Sequence, residues 1–126
     1  MTSLIRENRF DDLRGLLTTR ERTRLFGEVE TEWKDVQRNN IDVEEKDIVA
    51  TMPVRVLRHN VAYQRFADID VIFVVNRVRD GGVADSHSVF MIIKVTFTRV
   101  YSKGSLPDWT ISKFKLEKFS VLPKKN

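Results

Sequence analysis

The segment FADIDVIFVVN, residues 66–76, alternates without a break. Ala67, Ile69, Val71, Phe73 and Val75 fall on one side of an extended chain; Asp68, Asp70, Ile72, Val74 and Asn76 fall on the other. A period of two predicts a β-strand, and the wholly apolar first face predicts that something packs on it. The second face begins acidic and ends apolar, as if one end were covered and the other wet.

On the C-terminal side, the segment RDGGVADSH at 79–87 holds Asp80-Gly81-Gly82, strong turn chemistry. A second strand over 89–101 follows, with Val89, Met91, Ile93, Val95 and Phe97 alternating with Phe90, Ile92, Lys94, Thr96 and Thr98. These two strands are expected to be antiparallel neighbours. Next comes GSLPDWTISKFKL at 104–116, in which Gly104 and Pro107 suit a turn and Asp108 can hydrogen-bond the backbone beyond it. Trp109 then begins a last strand with a phase problem: Trp109 and Ile111 share one parity, Phe114 and Leu116 the other. Either both faces are partly covered, or a bulge near Ser112-Lys113 resets the register. On the N-terminal side, Ile48–Thr51 and Val54–Leu57 read as extended. Met52-Pro53 between them should interrupt the strand or hold it at a sheet edge, because proline cannot donate to a ladder.

Before residue 47 the period is helical. Phe10, Leu13, Leu16 and Leu17 form one set, and Leu25, Phe26, Val29, Trp33 and Val36 a second. Thr18 and Glu21 have the spacing of a capping box, so Thr18 is expected to start the second helix. Asn39 and Asn40 favour turns and close the helical region. The pattern as a whole is an α+β domain: N-terminal helices packed on a strongly curved antiparallel sheet of three to four strands. Residues 1–126 make a single domain, with 121–126 expected to fray. The start has no apolar signal core, so any targeting segment is expected to be absent or removed.

The chain has no cysteine, which excludes disulfides, thiolate metal sites and cysteine nucleophiles. Residues 1–47 carry nine basic and twelve acidic side chains, residues 48–126 thirteen and six. A basic half favours phosphate surfaces, either lipid headgroups or RNA, although lysines also keep exposed strand faces soluble. Reactive groups are sparse. His59 and His87 sit in polar, loop-like contexts, and no metal-ligand spacing accompanies them. Asp68 and Asp70 share a strand face and would make an acid/base pair in a closed pocket; otherwise they form a solvated strand end near Arg65 or Lys94. No catalytic residue, metal site or cofactor site is predicted, and no small-molecule substrate is expected. The candidate contacts are basic. Arg20, Arg22 and Arg24 open the second helix, against its dipole, and Lys113, Lys115, Lys118, Lys124 and Lys125 line the C-terminal edge.

Two stretches also resemble known sequences. RFDDLRGLLTTRERTRLFGEVETEW resembles the helical opening of the C-terminal domain of the mitochondrial import-motor scaffold. FADIDVIFVVN followed by YSKGSLPDWTI is similar to the m-AAA protease-interacting protein family, with Gly104, Pro107, Asp108, Trp109, Thr110 and Ile111 as its most specific part. The resemblance spans about residues 9–119. It implies a nuclear transport factor 2-like (cystatin-like) fold and an excised or processed core that lacks its transit peptide. It further implies a noncatalytic adaptor, peripheral to the inner membrane on the mitochondrial matrix side. That adaptor would bind the m-AAA protease or mitoribosome, contact client membrane proteins and assist maturation of newly made or imported ones. An RNA-binding module of the mitoribosome and a pocket enzyme of isomerase or dehydratase type are the alternatives. Within the PDWTI motif, Trp109 is expected to be mainly structural, closing the apolar space against Trp33 or Phe10, with a cost of about 3–5 kcal/mol on truncation to alanine.

Overall fold

The computed structural model describes residues 1–7, 9–13, 16–61, 64–79, 87–100 and 109–123. Four antiparallel strands form one sheet in the order β1-β2-β3-β4: β1 Ile48–Val61, β2 Gln64–Arg79, β3 His87–Val100 and β4 Trp109–Pro123. The helices are few and short: α1 Thr2–Arg6, α2 Thr19–Thr31 and α3 Asp35–Asn40, with 3-10 turns at Phe10–Leu13 and Glu45–Asp47. This is a mixed α+β arrangement. Among the described residues, no helix is long and apolar enough to cross a membrane.

The helices lie on the face predicted from 66–76. Val75, Val89, Met91, Ile93, Val95 and Phe114 from that face join Ile5, Phe10, Leu13, Leu17, Leu25, Val29 and Ile41 in one buried cluster. Within the ladder, Val75 pairs with Met91 and Met91 with Phe119, so successive strands present their apolar positions in the same rows.

The phase problem of β4 is resolved by two bulges. Phe97 pairs with Ile111 but Thr96 with Lys113, which leaves Ser112 as an extra residue. Ile93 pairs with Leu116 but Ile92 with Lys118, which leaves Glu117 as a second. Each extra residue inverts the parity of the strand beyond it. Ile111, Phe114, Leu116 and Phe119 thereby all reach the helix-covered face. The edge strand β1 accommodates Pro53 without interruption and bulges beside it, since Pro53 pairs with Val71 and Arg55 with Asp70.

Two expectations are corrected. The first apolar set does not form a single helix, because Leu17 leaves the 3-10 turn and bridges in parallel to Ile111. There Ile111 N–H donates to Leu16 O at 2.8 Å and Thr18 N–H to Ile111 O at 3.0 Å. A strand edge takes backbone groups that a helix would have used internally. The second set is also divided. Residue Lys34 is extended at φ −77°, ψ 159°, and its N–H donates to Gln37 Oε1 at 2.8 Å, starting α3 afresh. Trp33 packs against the core from that break. Of the tail expected to fray from 121, residues 121–123 form the end of β4, with Val121 opposite Val89; residues 124–126 lie outside the described residues.

Thr18 starts α2 as predicted, its Oγ1 accepting from Glu21 N–H at 3.2 Å. The reciprocal half of the capping box is not made, because Thr18 N–H is already engaged by Ile111. Thr18→Ala is expected to cost about 1 kcal/mol, with Thr18→Ser close to wild type, as read by urea denaturation. A loss in the alanine protein below about 0.3 kcal/mol would show that the cap is dispensable to α2.

Candidate functional site

The sheet offers two unlike surfaces. On its open face, rows of side chains run across the strands: Arg55 lies beside Asp70, Asp70 beside Thr96, and Thr96 beside Lys113. Together with Leu57, Asp68, Lys94, Ser112, Lys115 and Glu117 they line a groove of about 390 Å³. Thr96 Oγ1 donates to Asp70 Oδ1 at 2.6 Å, and Thr98 Oγ1 to Asp68 Oδ1 at 2.7 Å. The Ser112 hydroxyl, carried by the first bulge, lies 2.6 Å from Thr98 Oγ1. His59 Nε2 is 3.0 Å from the second oxygen of Asp68, out of line for a hydrogen bond, and its ring stacks on Phe66 at 5.1 Å.

Asp68 and Asp70 are therefore half-buried in an open groove on the face away from the helices, each tied to a threonine. His59, expected in a loop, is part of β1, while His87 opens β3. Among the described residues no group of three or more His, Asp or Glu converges as a metal site. On the same face, Met52, Ile72, Val74, Phe90 and Ile92 form the apolar end anticipated from 66–76. Ile72, Val74, Phe90 and Ile92 are half-buried and Met52 is exposed, and none of the five belongs to the core cluster.

On the opposite face the helices leave one end of the sheet bare. Ile69, Val71, Phe97 and Trp109 surround an open apolar hollow of about 410 Å³. Behind it, a second cavity of about 210 Å³ reaches under Met1 and Thr2 to Val75 and Phe114, with Phe97 shared between the two. Trp109 is 42% exposed. Its ring packs under the Arg99 guanidinium at 5.8 Å and thus forms the rim of the hollow, where the sequence placed it in a closed core. Arg99 Nε is buried there without a hydrogen-bond partner among the described residues.

The basic candidates divide. Arg24 is structural: its guanidinium binds Glu21, Glu28 at 3.0 Å and the carbonyl of Phe114 at 2.8 Å. Its hydrogen bond to Glu21 pushes its pKa further above the ordinary guanidinium value, with Glu28 adding to the effect. Arg22 is half-buried and engaged, whereas Arg20 is exposed. Lys113, Lys115 and Lys118 are exposed along β4 on the open face, and Lys94 lies directly across from Lys115. The second bulge keeps Lys118 on the side of the other two. Thr110 and Ile111 are both half-buried in β4, while Gly104, Pro107, Asp108, Lys124 and Lys125 lie outside the described residues.

Sequence reading did not find the bare end of the inner face or the stacking of Arg99 on Trp109. The threonine partners of the aspartates did leave a signal, since Thr96 and Thr98 share the parity of a strand antiparallel to Asp68 and Asp70. Comparisons with family models, with curated proteins and with solved structures returned no match to the chain.

Proposed function

We propose that this protein is a noncatalytic adaptor at the matrix face of the mitochondrial inner membrane. In this reading it engages the m-AAA protease and assists the maturation of membrane proteins, on a nuclear transport factor 2-like fold. The observation that carries the reading is the bare apolar hollow of Ile69, Val71, Phe97 and Trp109. An unsealed apolar surface beside a basic one suits a protein that holds polypeptide rather than one that encloses a reaction. The resemblance of FADIDVIFVVN and the PDWTI motif supplies the location and the partner. Lys113, Lys115 and Lys118 supply a surface for anionic headgroups.

The test is affinity capture from mitochondrial lysate, with and without nuclease, using wild type and Val71→Asp. Recovery of m-AAA subunits whatever the nuclease, and their loss with Val71→Asp in a protein of unchanged circular dichroism, is the expected result. Loss of every partner on nuclease treatment would overturn it in favour of mitoribosomal RNA. The basic row of β4 favours that second reading, which predicts binding that falls steeply with salt. The isomerase or dehydratase alternative draws no support from Asp68 and Asp70, which face away from the helices.

A further inference from the structure

The rest of the chain treats the two edges of the sheet differently. On β4, the outward backbone groups of Ile111 and Phe114 are occupied. Leu16 O and Thr18 N–H take Ile111 at 2.8 and 3.0 Å, Glu21 Oε1 accepts from Phe114 N–H at 3.2 Å, and Arg24 Nη2 donates to Phe114 O at 2.8 Å. On β1, no hydrogen bond reaches the outer edge from any other element among the described residues. Such an edge is a row of donors and acceptors ready for another strand.

Pro53 and the bulge after it protect only the first half of β1. From Arg55 to Asn60 the register with β2 is unbroken, running from Arg55 opposite Asp70 to Asn60 opposite Arg65. This stretch exposes apolar side chains on both faces, Val56 at 66% and Leu57 at 43%. Arg58 shares the inner face with Val56, and Arg55 the open face with Leu57. Neither arginine has an ion-pair partner among the described residues, and no acidic residue occurs between Asp47 and Asp68.

We infer that Arg55–Asn60 is a docking edge for an extended polypeptide segment of acidic and apolar residues, which adds beside β1 as a fifth strand. Main-chain bonds along the edge provide affinity, and alternate side chains provide selectivity. One set would lie by Val56 and Arg58 toward the bare hollow, the other by Leu57 and Arg55. Charge argues against a second copy as occupant. Two copies of β1 joined edge to edge would bring four arginines, Arg55 and Arg58 of each, to a seam to which β1 itself contributes no acid. The inference deepens the adaptor reading and rests on it only in taking the occupant to be polypeptide.

The probe is a short capped peptide of valine and threonine with two glutamates, compared with the same peptide carrying lysines and with a backbone N-methylated version. Purified protein is followed by amide chemical shifts and hydrogen exchange. The glutamate peptide should protect amides within 55–60, leave those of β4 unchanged, and bind about tenfold or more tightly than the lysine peptide. Arg58→Glu, which lies opposite Ala67 and not an acid, should remove that preference at unchanged melting temperature, and N-methylation should abolish binding. Equal binding of the two charged peptides, tolerance of N-methylation or protection confined to other strands would overturn the inference. Concentration-dependent protection of 55–60 without peptide would overturn it too, in favour of a second copy. Because no lysate is involved, peptide binding without capture of the protease would fault the partner, and capture without peptide binding would fault the docking mode.

Discussion

Glu21→Ala is expected to destabilise the protein by about 2–3 kcal/mol, the upper part of the range for leaving a buried donor without its acceptor. Glu21 is only 3% exposed and occupies the first position of the buried stripe Glu21, Leu25, Val29 on α2. A carboxylate there is tolerated because every direction it faces is filled. Its Oε1 accepts from Phe114 N–H, and both oxygens accept from Arg24 Nε at 2.9 Å. Alanine would strand a buried N–H of β4 and release Arg24 from the contact that holds it over the Phe114 carbonyl. Arg24→Ala should cost less, about 1 kcal/mol, because its side chain is 47% exposed and solvent screens the loss. Glu21→Gln should fall between them, since the amide oxygen can still accept from Phe114. Urea denaturation of the three variants checks the order. Equal losses for Glu21→Ala and Arg24→Ala would show that the ion pair, and not the carboxylate's hold on β4, is what stabilises.

The second large effect is Phe114→Ala, at about 3–5 kcal/mol. The ring is buried in the cluster and also borders the cavity under Met1 and Thr2, so its removal would enlarge a void that neighbours do not fill. Trp109→Ala should cost far less, about 1–2 kcal/mol, because much of the ring is already in water. That figure includes the stacking with Arg99, worth about 0.5–1 kcal/mol at an exposed site. The comparison separates a core aromatic from a rim aromatic only five residues earlier on one strand. If the tryptophan variant loses as much as the phenylalanine variant, the hollow is closed in solution and cannot receive a partner.

How far these elements can be read from sequence depends on the range of the forces that make them. β2 is legible because each residue's face follows from its neighbour's. The first bulge of β4 is legible because Ile111 and Phe114 cannot both face inward without an extra residue between them. The second has the same signature in the three-residue step from Leu116 to Phe119, and that step fixes Lys118 on the side of Lys113. The fate of Leu16 and Leu17 is not local. Their helical spacing is real, but the strand edge that takes their backbone is made of residues almost a hundred positions away. The bare hollow is illegible for a related reason. Ile69 and Phe97 alternate just as Val75 and Met91 do, and only the shortness of the helices decides which pair stays uncovered.

The clasp between α2 and β4 also orders events in time. Glu21 reaches Phe114 across 93 positions and Arg24 reaches it across 90, so no earlier segment can substitute for β4. In a chain emerging from its N terminus, α2 has to wait with Leu25 and Val29 unshielded until the last strand is available. Contacts of such long range slow folding and prolong the exposure of apolar surface. The helix α2 is therefore made early and clasped late, and the interval before β4 closes on it is when it most needs protection from its neighbours.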